Sequence, residues 1–493
     1  MELLPYSGRG LPLENLIRGA TREPFSEVYE PSVETLESLE EQMFEMQGEL
    51  RDTSVYDKLE AIAAVGKLWE NSNNERRMKL QNILPETTGY HPNMIDFELM
   101  AIPEILKGKE LAEYLDNPMC FYGGGKVLDG YVEVAEGQHV IANPRGPVFI
   151  IGAGNSTVPP VYSMLISLLT NNFTILRPSF ANYAGLYEIM KSFEDAENSS
   201  NVSSDVKDIL RKMSNASVVS YMSHDSKAYE YLLKEADLGA VNFWGGGPAL
   251  SVIKRMMAEN PNNPKLIING PLTGVAVVDG NYTKDDQTKT AKGLAFDTIL
   301  YRQQLCNSPT EAHFIGSYED AKGFGEIFSH MLDEHDKSLP GELSEAQIYN
   351  TQVIRRSLKR AGSKVFMPDD GTARWTVVVS KDQSNIDNVT NNSNHFSIYQ
   401  RPVFLEIVAV PELDGSLTKI EELPHRKCYQ GVEKAQTVGY AMDERSAKDF
   451  AKELSKIGIY RVVPVGQMYY RTAYEPSDGE YLARELTFLS YFK

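Results

Sequence analysis

The sequence predicts an α/β protein made of two open α/β domains with a small β element beside them, and three observations carry that prediction. A chain of 493 residues with 42% hydrophobic content has enough apolar surface for more than one core. From Pro147 onward short apolar runs alternate with amphipathic stretches, and the alternation starts again near Val275. Parallel strands need helical crossovers of this kind, so each alternating region reads as a parallel sheet covered by helices on both sides.

Taken in order, residues 1 to about 50 are acidic and proline-marked, with weak periodicity. Between Tyr56 and Tyr114 the pattern turns helical, with Leu59, Ile62, Ala63, Val65 and Leu68 near a 3.6-residue period. Residues 1–127 are therefore read as an N-terminal helical layer. Residues 128–146 hold two short strands, Tyr131 to Val134 and His139 to Ala142, around Glu136-Gly137, a hairpin pattern.

The first α/β domain spans 147–274. Val148 to Ile151 is a buried-type strand, and Val161, Met164, Leu165, Leu168 and Leu169 form one helix face. Phe173 to Leu176 is a strand and Tyr183 to Phe193 a helix. Val218-Val219, the helix through Tyr229 to Leu233, Ala240 to Phe243 and the helix through Ile253, Met256 and Met257 repeat the unit. The second domain, 275–466, has strands at Val275 to Val278, Ala312 to Ile315, Thr376 to Val379 and Phe404 to Val410. It closes with the helix Ser446 to Ile457 and the strand Arg461 to Val463. In the terminal segment, 467–493, the run from Glu480 to Phe492 reads as a last strand.

Charge excludes whole classes of partner. With 49 basic against 68 acidic residues the formal charge is -19, which repels nucleic acid and anionic membrane surfaces. Three cysteines without short spacing give neither a disulfide framework nor a thiolate metal site, and only His330 and His335 lie close among the eight histidines. The start, Met1 to Pro5, has no basic-then-apolar signal. No run approaches the roughly 18 apolar residues of a membrane span. A reducing cytoplasm is the expected setting, where the Asn-x-Ser/Thr triplets near Asn198 and Asn201 are loop composition.

In an open parallel sheet the ligand sits beyond the carboxyl ends of the strands, and three loops there are unusual. Gly152-Ala153-Gly154-Asn155-Ser156-Thr157 joins a strand to a helix and brings backbone N–H groups and the Asn155 amide to the cleft. Arg177-Pro178-Ser179 offers a guanidinium suited to phosphate or ribose. Trp244-Gly245-Gly246-Gly247 has no side-chain bulk, as a closely approaching phosphate or nicotinamide requires. Phe121-Tyr122-Gly123-Gly124-Gly125-Lys126 lacks a preceding strand and a following Ser/Thr, so it reads as a flexible turn.

Cys306 lies in Tyr301-Arg302-Gln303-Gln304-Leu305-Cys306-Asn307-Ser308-Pro309, after a helix-like stretch and before an apolar strand. A polar, amide-rich turn gives a thiol access and hydrogen-bond donors, whereas a structural cysteine lies among apolar neighbours. His313, seven positions on, is expected to pack or bond to backbone rather than serve as a base.

Together the Asn155 loop, Arg177-Pro178-Ser179, Trp244-Gly245-Gly246, Asn269-Gly270-Pro271 and Gln303-Gln304-Leu305-Cys306 resemble the long-chain acyl-CoA reductase (LuxC) family, a branch of the aldehyde dehydrogenase superfamily. Order and spacing hold from about residue 56 to the C-terminus, where Ala435 to Gly439 and Gly458 to Val463 are also similar. The resemblance implies an aldehyde dehydrogenase-like fold whose two domains are cofactor-binding and catalytic. It makes Cys306 the nucleophile that takes the acyl group, with Asn155 and the Cys306 N–H as an oxyanion hole. Arg177 and Ser179 match the adenosine ribose site and, in NADPH users, its phosphate; Gly245 and Gly246 match the loop under the pyrophosphate. It further implies a fatty acyl-CoA or acyl-protein donor, an acyl-protein synthetase and a thioesterase-like transferase as partners, and a homo-oligomer formed through the hairpin and last strand.

The departures carry information as well. Hydrolytic aldehyde dehydrogenases activate water with a glutamate before a Gly-Gly-Lys segment, and the matching stretch, Leu266 to Thr273, has no carboxylate. The ribose-binding glutamate of a Glu-x-Phe-Gly-Pro segment has no match near Gln400-Arg401-Pro402, and Arg177 stands where many relatives have lysine. An acyl-thioester without a water-activating base survives for reduction, so an NADPH-dependent, aldehyde-forming reductase is expected. The alternatives are an aldehyde dehydrogenase oxidising to acid or acyl-CoA, and a non-catalytic subunit of the same fold.

Overall fold

The computed structural model describes residues 2–8, 16–18, 24–25, 27–282, 286–381, 384–391 and 403–493; Gln400-Arg401-Pro402 lie outside them. The chain divides into two compact units, Met1–Asn269 with Thr472–Lys493, and Gly270–Arg471.

Ahead of Ser32, where the sequence reading expects a helical layer, the chain forms short strands: β1 (Glu2–Leu3), β2 (Tyr6–Ser7), β3 (Leu16–Arg18) and β4 (Glu27–Pro31). Pro5, Pro24 and Pro31 withhold helical N–H donors there, and Val28-Tyr29 favours extended backbone. Helices follow as α1 (Val33–Arg51), α2 (Val55–Glu70), α3 (Glu75–Thr88), α4 (Pro92–Leu106) and α5 (Lys109–Asp116). The Ser32 hydroxyl accepts from Thr35 N at 3.1 Å to begin α1, and Pro92 takes the first position of α4, where its missing N–H costs nothing. Instead of a flexible turn, Gly124–Leu128 forms a short 3₁₀ helix, because the Asp116 carboxylate accepts from Gly125 N at 3.0 Å.

Strands β5 (Val132–Ala135) and β6 (Gln138–Pro144) form a hairpin extended antiparallel by β19 (Thr487–Phe492). That last strand is shorter than the expected Glu480 to Phe492, since Leu482–Glu485 first makes a helical turn. The main sheet of this unit is assembled from β7 (Val148–Ile151), α6 (Val158–Leu169), β8 (Thr174–Arg177), α7 (Tyr183–Asn198), α8 (Ser204–Asn215), β9 (Ser217–Val219), α9 (Lys227–Lys234), β10 (Ala240–Trp244), α10 (Gly247–Met257) and β11 (Lys265–Asn269). Strand order is β11-β10-β7-β8-β9-β2, parallel except for β2. The chain runs outward from β7 through β8 to β9, then returns to place β10 on the other side of β7. A crevice opens beyond the carboxyl ends of strands at such a reversal.

The second unit has β12 (Leu272–Asp279), α11 (Gln287–Ile299), β13 (Pro309–Ile315), α12 (Tyr318–Ser338), α13 (Glu345–Arg360), β14 (Lys364–Phe366), β15 (Thr376–Ser380), β16 (Phe404–Val410), β17 (Lys434–Ala441) and β18 (Arg461–Pro464). Its order is β14-β15-β16-β13-β12-β17-β18, with only the β14–β15 pair antiparallel. Alternation along β12 splits the core between the two faces. Val275 and Val277 pack with Val438, Phe450 and Leu454, whereas Ala276 and Val278 pack with Leu294, Phe314 and Phe324.

Two carboxylates sit side by side in this sheet, Glu311 on β13 opposite Glu406 on β16. Arg426 grips Glu311 in a bidentate pair at 2.9 and 2.7 Å, and its Nε lies 2.8 Å from Asp387 Oδ2. Burial alone would raise the Glu311 carboxyl, but the Arg426 charge and the His313 hydrogen bond outweigh it and hold the group well below the usual range. Glu406 is pushed the other way by burial and by the Glu311 charge, and it accepts from Ser380 Oγ at 2.6 Å and Ser384 Oγ at 2.5 Å. We predict that Arg426→Leu, which strands Glu311 as a buried unpaired charge, destabilises the protein by about 3–5 kcal/mol in denaturant titration. A loss under about 1 kcal/mol would refute this account of the pair.

Candidate active site

Helix α11 stops at Ile299, and the chain then turns through three successive left-handed residues, Tyr301 (φ 49°), Arg302 (φ 53°) and Gln303 (φ 65°). Backbone of this kind costs about 1–3 kcal/mol per non-glycine residue and persists only where the surroundings enforce it. Each of the three side chains is anchored. Tyr301 is buried and stacks on Tyr469 with ring centroids 5.9 Å apart. Arg302 donates to Asp336 Oδ1 at 2.7 Å and to Arg374 O at 2.8 Å. Gln303 donates to Pro309 O and Phe404 O at 2.7 and 2.9 Å while accepting from Phe404 N at 2.7 Å, which ties the turn to the amino ends of β13 and β16.

Cys306 follows, half-buried, at the amino end of β13; Cys120 and Cys428 are buried. The peptide beyond it rests on Gly274 of β12, where an added Cβ would lie 2.4 Å from Asn307 O, so only glycine fits. Ladder register slips on both sides of this residue. Gln436 is skipped between the Thr273–Ala435 and Gly274–Thr437 pairs, and Thr310 between Gly274–Pro309 and Val275–Glu311. Such bulges re-aim side chains, and Gln436 Nε2 donates to Cys306 Sγ at 3.3 Å. Asn307 Nδ2 donates to Met468 O at 2.6 Å. The segment holding Met468 is fixed by Asp297, whose carboxylate accepts from Gly466 N at 2.6 Å and Met468 N at 3.1 Å.

The carboxylates that flank Cys306 along the chain are both engaged, Asp297 by those amides and Glu311 by Arg426. Burial pushes the Asp297 carboxyl up to about 7. His313 is buried, as expected of a packed side chain, and its polar partner is a side chain rather than backbone. Two residues apart on one strand, it shares a face with Glu311, and its Nε2 lies 2.8 Å from Glu311 Oε1. Asn269, in the stretch matching the hydrolytic glutamate, donates its amide to Asn242 Oδ1 at 2.7 Å within the first unit.

On the first unit, the loops after β10, β7 and β8 leave adjacent parallel strands on one edge. Gly152 N donates to Arg177 O at 2.9 Å and Asn182 Nδ2 to Ala153 O at 3.1 Å, which laces two loops together. Asn155 is half-buried in the first. A Cβ on Gly154 would come 3.2 Å from Ser179 Oγ, which is buried without a hydrogen-bond partner among the described residues. Arg177 donates from Nε to Met222 O at 2.8 Å, its guanidinium 5.8 and 5.5 Å from the ring centres of Tyr221 and Tyr229. Gly245 is required by its own strand, since a Cβ there would meet the Phe243 ring at 2.6 Å. A Cβ on Gly246 would make only an ordinary contact, 3.9 Å from Pro248 Cδ. An orphaned hydroxyl and an exposed, uncrowded glycine at a switch-point crevice fit a ligand carrying ribose and phosphate groups. These five residues share one edge of the first unit, and Cys306 belongs to the second.

Gln436 and the anchoring of Tyr301 to Gln303 are not among the sequence-predicted residues. A polar amide within Ala435 to Val438 was the available signal for Gln436.

A family model described as acyl-CoA reductase (LuxC) matches residues 50–489. A long-chain acyl-protein thioester reductase of Photobacterium phosphoreum is 28% identical over 323 residues, 65% of this chain and 61% of that protein. Another, numbered 2, of Photobacterium leiognathi is 27% identical over 282 residues, 57% of this chain and 54% of that protein. The chain thus spans less than two thirds of the length of these relatives. Among solved structures, aldehyde dehydrogenase 21 of Physcomitrella patens aligns with a TM-score of 0.71 at 11% identity, covering 100% of this chain and 98% of that one. An NAD-dependent benzaldehyde dehydrogenase of Corynebacterium glutamicum gives 0.65 at 15% identity, covering 99% and 97%. The fold is that of the aldehyde dehydrogenases.

A hydrogen bond donated to sulfur favours the thiolate. We predict that Gln436→Leu moves the inflection of Cys306 alkylation against pH upward by about one pH unit, as loss of a bond to a charged group implies. An unchanged alkylation profile would remove Gln436 from this role.

Proposed function

This chain belongs to the acyl-CoA reductase (LuxC) family, and we propose that it reduces a fatty acyl thioester to the fatty aldehyde through an acyl-enzyme on Cys306, with NADPH as reductant. The observation that carries the reading is a half-buried thiol with an amide donor on its sulfur, flanked along the chain by carboxylates already committed to other partners. Such a sulfur is equipped to attack, and neither flanking carboxylate is at hand as a base for water.

Cys306 Sγ bonds to the acyl carbonyl carbon as the donor's C–S bond breaks and the donor leaves as a thiol. Asn155 and the Cys306 N–H are assigned the negative oxygen of each tetrahedral intermediate. When bound, the nicotinamide cofactor supplies the hydride. Collapse of the resulting thiohemiacetal expels Cys306 as thiolate, which the Gln436 amide stabilises until it regains a proton. The orphaned Ser179 hydroxyl and Arg177 are assigned the adenosine ribose and its phosphate, and Gly245-Gly246 the pyrophosphate side. One aldehyde dehydrogenase-fold relative was solved with NADP and another with NAD, so Arg177 is what favours NADPH.

Relatives described as acyl-protein thioester reductases favour a protein-borne acyl group as donor, with acyl-CoA as its small-molecule counterpart and an acyl-protein synthetase as partner. Cys120, Cys306 and Cys428 as thiols rather than disulfides suit the cytoplasm. Among the described residues no helix is long and apolar enough to cross a membrane. The β5–β6–β19 sheet, with Leu489, Tyr491 and Phe492 exposed, is assigned to homo-oligomer contacts.

Incubation with a fatty acyl-CoA and no reductant is expected to add the acyl mass to the Cys306 peptide, and NADPH to release it as aldehyde. Cys306→Ser should abolish labelling; aldehyde formation by this variant would contradict the mechanism. Asn155→Ala is expected to slow turnover by about 100- to 1,000-fold, and an unchanged rate would exclude Asn155 as an oxyanion donor.

A further inference from the structure

We propose that Glu98 and Tyr90 are positioning residues, a clamp that sets the Asn155 amide in its oxyanion geometry; the inference rests on the role assigned to Asn155 above. Glu98 lies on the apolar face of α4 with Met94, Ile95, Leu99 and Ile102, and all five are buried. Its Oε1 accepts from Ser156 Oγ at 2.8 Å and, in a short contact, from Thr157 N, the two residues after Asn155. Its Oε2 is buried without a partner among the described residues, and burial raises the carboxyl above its ordinary range despite those bonds. The Tyr90 hydroxyl, from the turn before α4, donates to Asn155 O at 3.1 Å. With Asn182 holding Ala153 O, side chains from outside the loop seize it at residues 153, 155, 156 and 157.

A turn that merely joined β7 to α6 could use glycine and a serine cap. Burying a carboxyl with one oxygen unsatisfied is a stability cost that a connecting loop does not need. Fixing the peptide that follows Asn155, and the loop on either side of it, removes freedom from the residue whose amide must meet a developing charge, and misplacement of about 1 Å at such a site costs as much as 100-fold in rate.

The test is single-turnover acylation of Cys306 by a fatty acyl-CoA, measured without reductant. Tyr90→Phe, which deletes one hydroxyl at constant volume, is expected to slow acylation about fivefold, and Glu98→Leu about 10- to 100-fold. Glu98→Gln, which keeps an acceptor for Thr157 N, should recover most of that loss. In an Asn155→Ala background both effects should vanish, because residues acting through one group are not additive. A loop that is only structural would instead give slowing that persists in that background, and that result overturns the clamp, as does an unaltered rate in Tyr90→Phe. If Glu98→Leu does not fold, Tyr90→Phe alone decides between these outcomes. Asn155→Ala reacting at the wild-type rate would instead refute the oxyanion role itself.

Discussion

The Cys306 turn depends on a contact between backbones. Asn307 O and Ser308 O press against Gly274, where an added Cβ would lie 2.4 and 2.7 Å from them. Close approach of this kind is possible only where a strand carries no side chain. The ladders accommodate it by skipping one residue on each neighbour, Thr310 and Gln436. The skipped Gln436 is the one that reaches the sulfur, so the donor on Cys306 and the seat of its turn have a common origin in the missing side chain of Gly274.

Around that seat the second unit commits several polar groups to fixed partners. Arg302, Gln303 and Asn307 satisfy main-chain acceptors, Asp297 satisfies main-chain donors, and Glu311 takes Arg426. In a low-dielectric interior a committed group cannot be recruited for another purpose without a large penalty. Neither Asp297 nor Glu311, the carboxylates nearest Cys306 along the chain, is therefore at liberty to act as a base.

Much of the architecture was legible in the sequence. Strands that carry β-branched runs between glycines and prolines, such as Val148 to Ile151 and Phe404 to Val410, stood out because they are buried on both faces. The three loops of the first sheet could be placed together because parallel strands present their carboxyl ends on one edge. The strands before Ser32 were hidden by their shortness, too few residues to show a period. Gln436 and Glu98 were hidden for a different reason: their meaning lies in partners 130 and 58 residues away, and no local pattern encodes a contact of that span. His313 is buried as its strand-like segment implied; what the residue type did not indicate was its partner, Glu311, two residues off on the same face.

The 130-residue separation between Cys306 and Gln436 has a consequence during synthesis. The thiol leaves the ribosome long before the strand that supplies its amide, so the sulfur emerges before its donor exists in the chain. The bond can form only when β17 docks beside β12, so the amide on the sulfur is itself a certificate of completed topology.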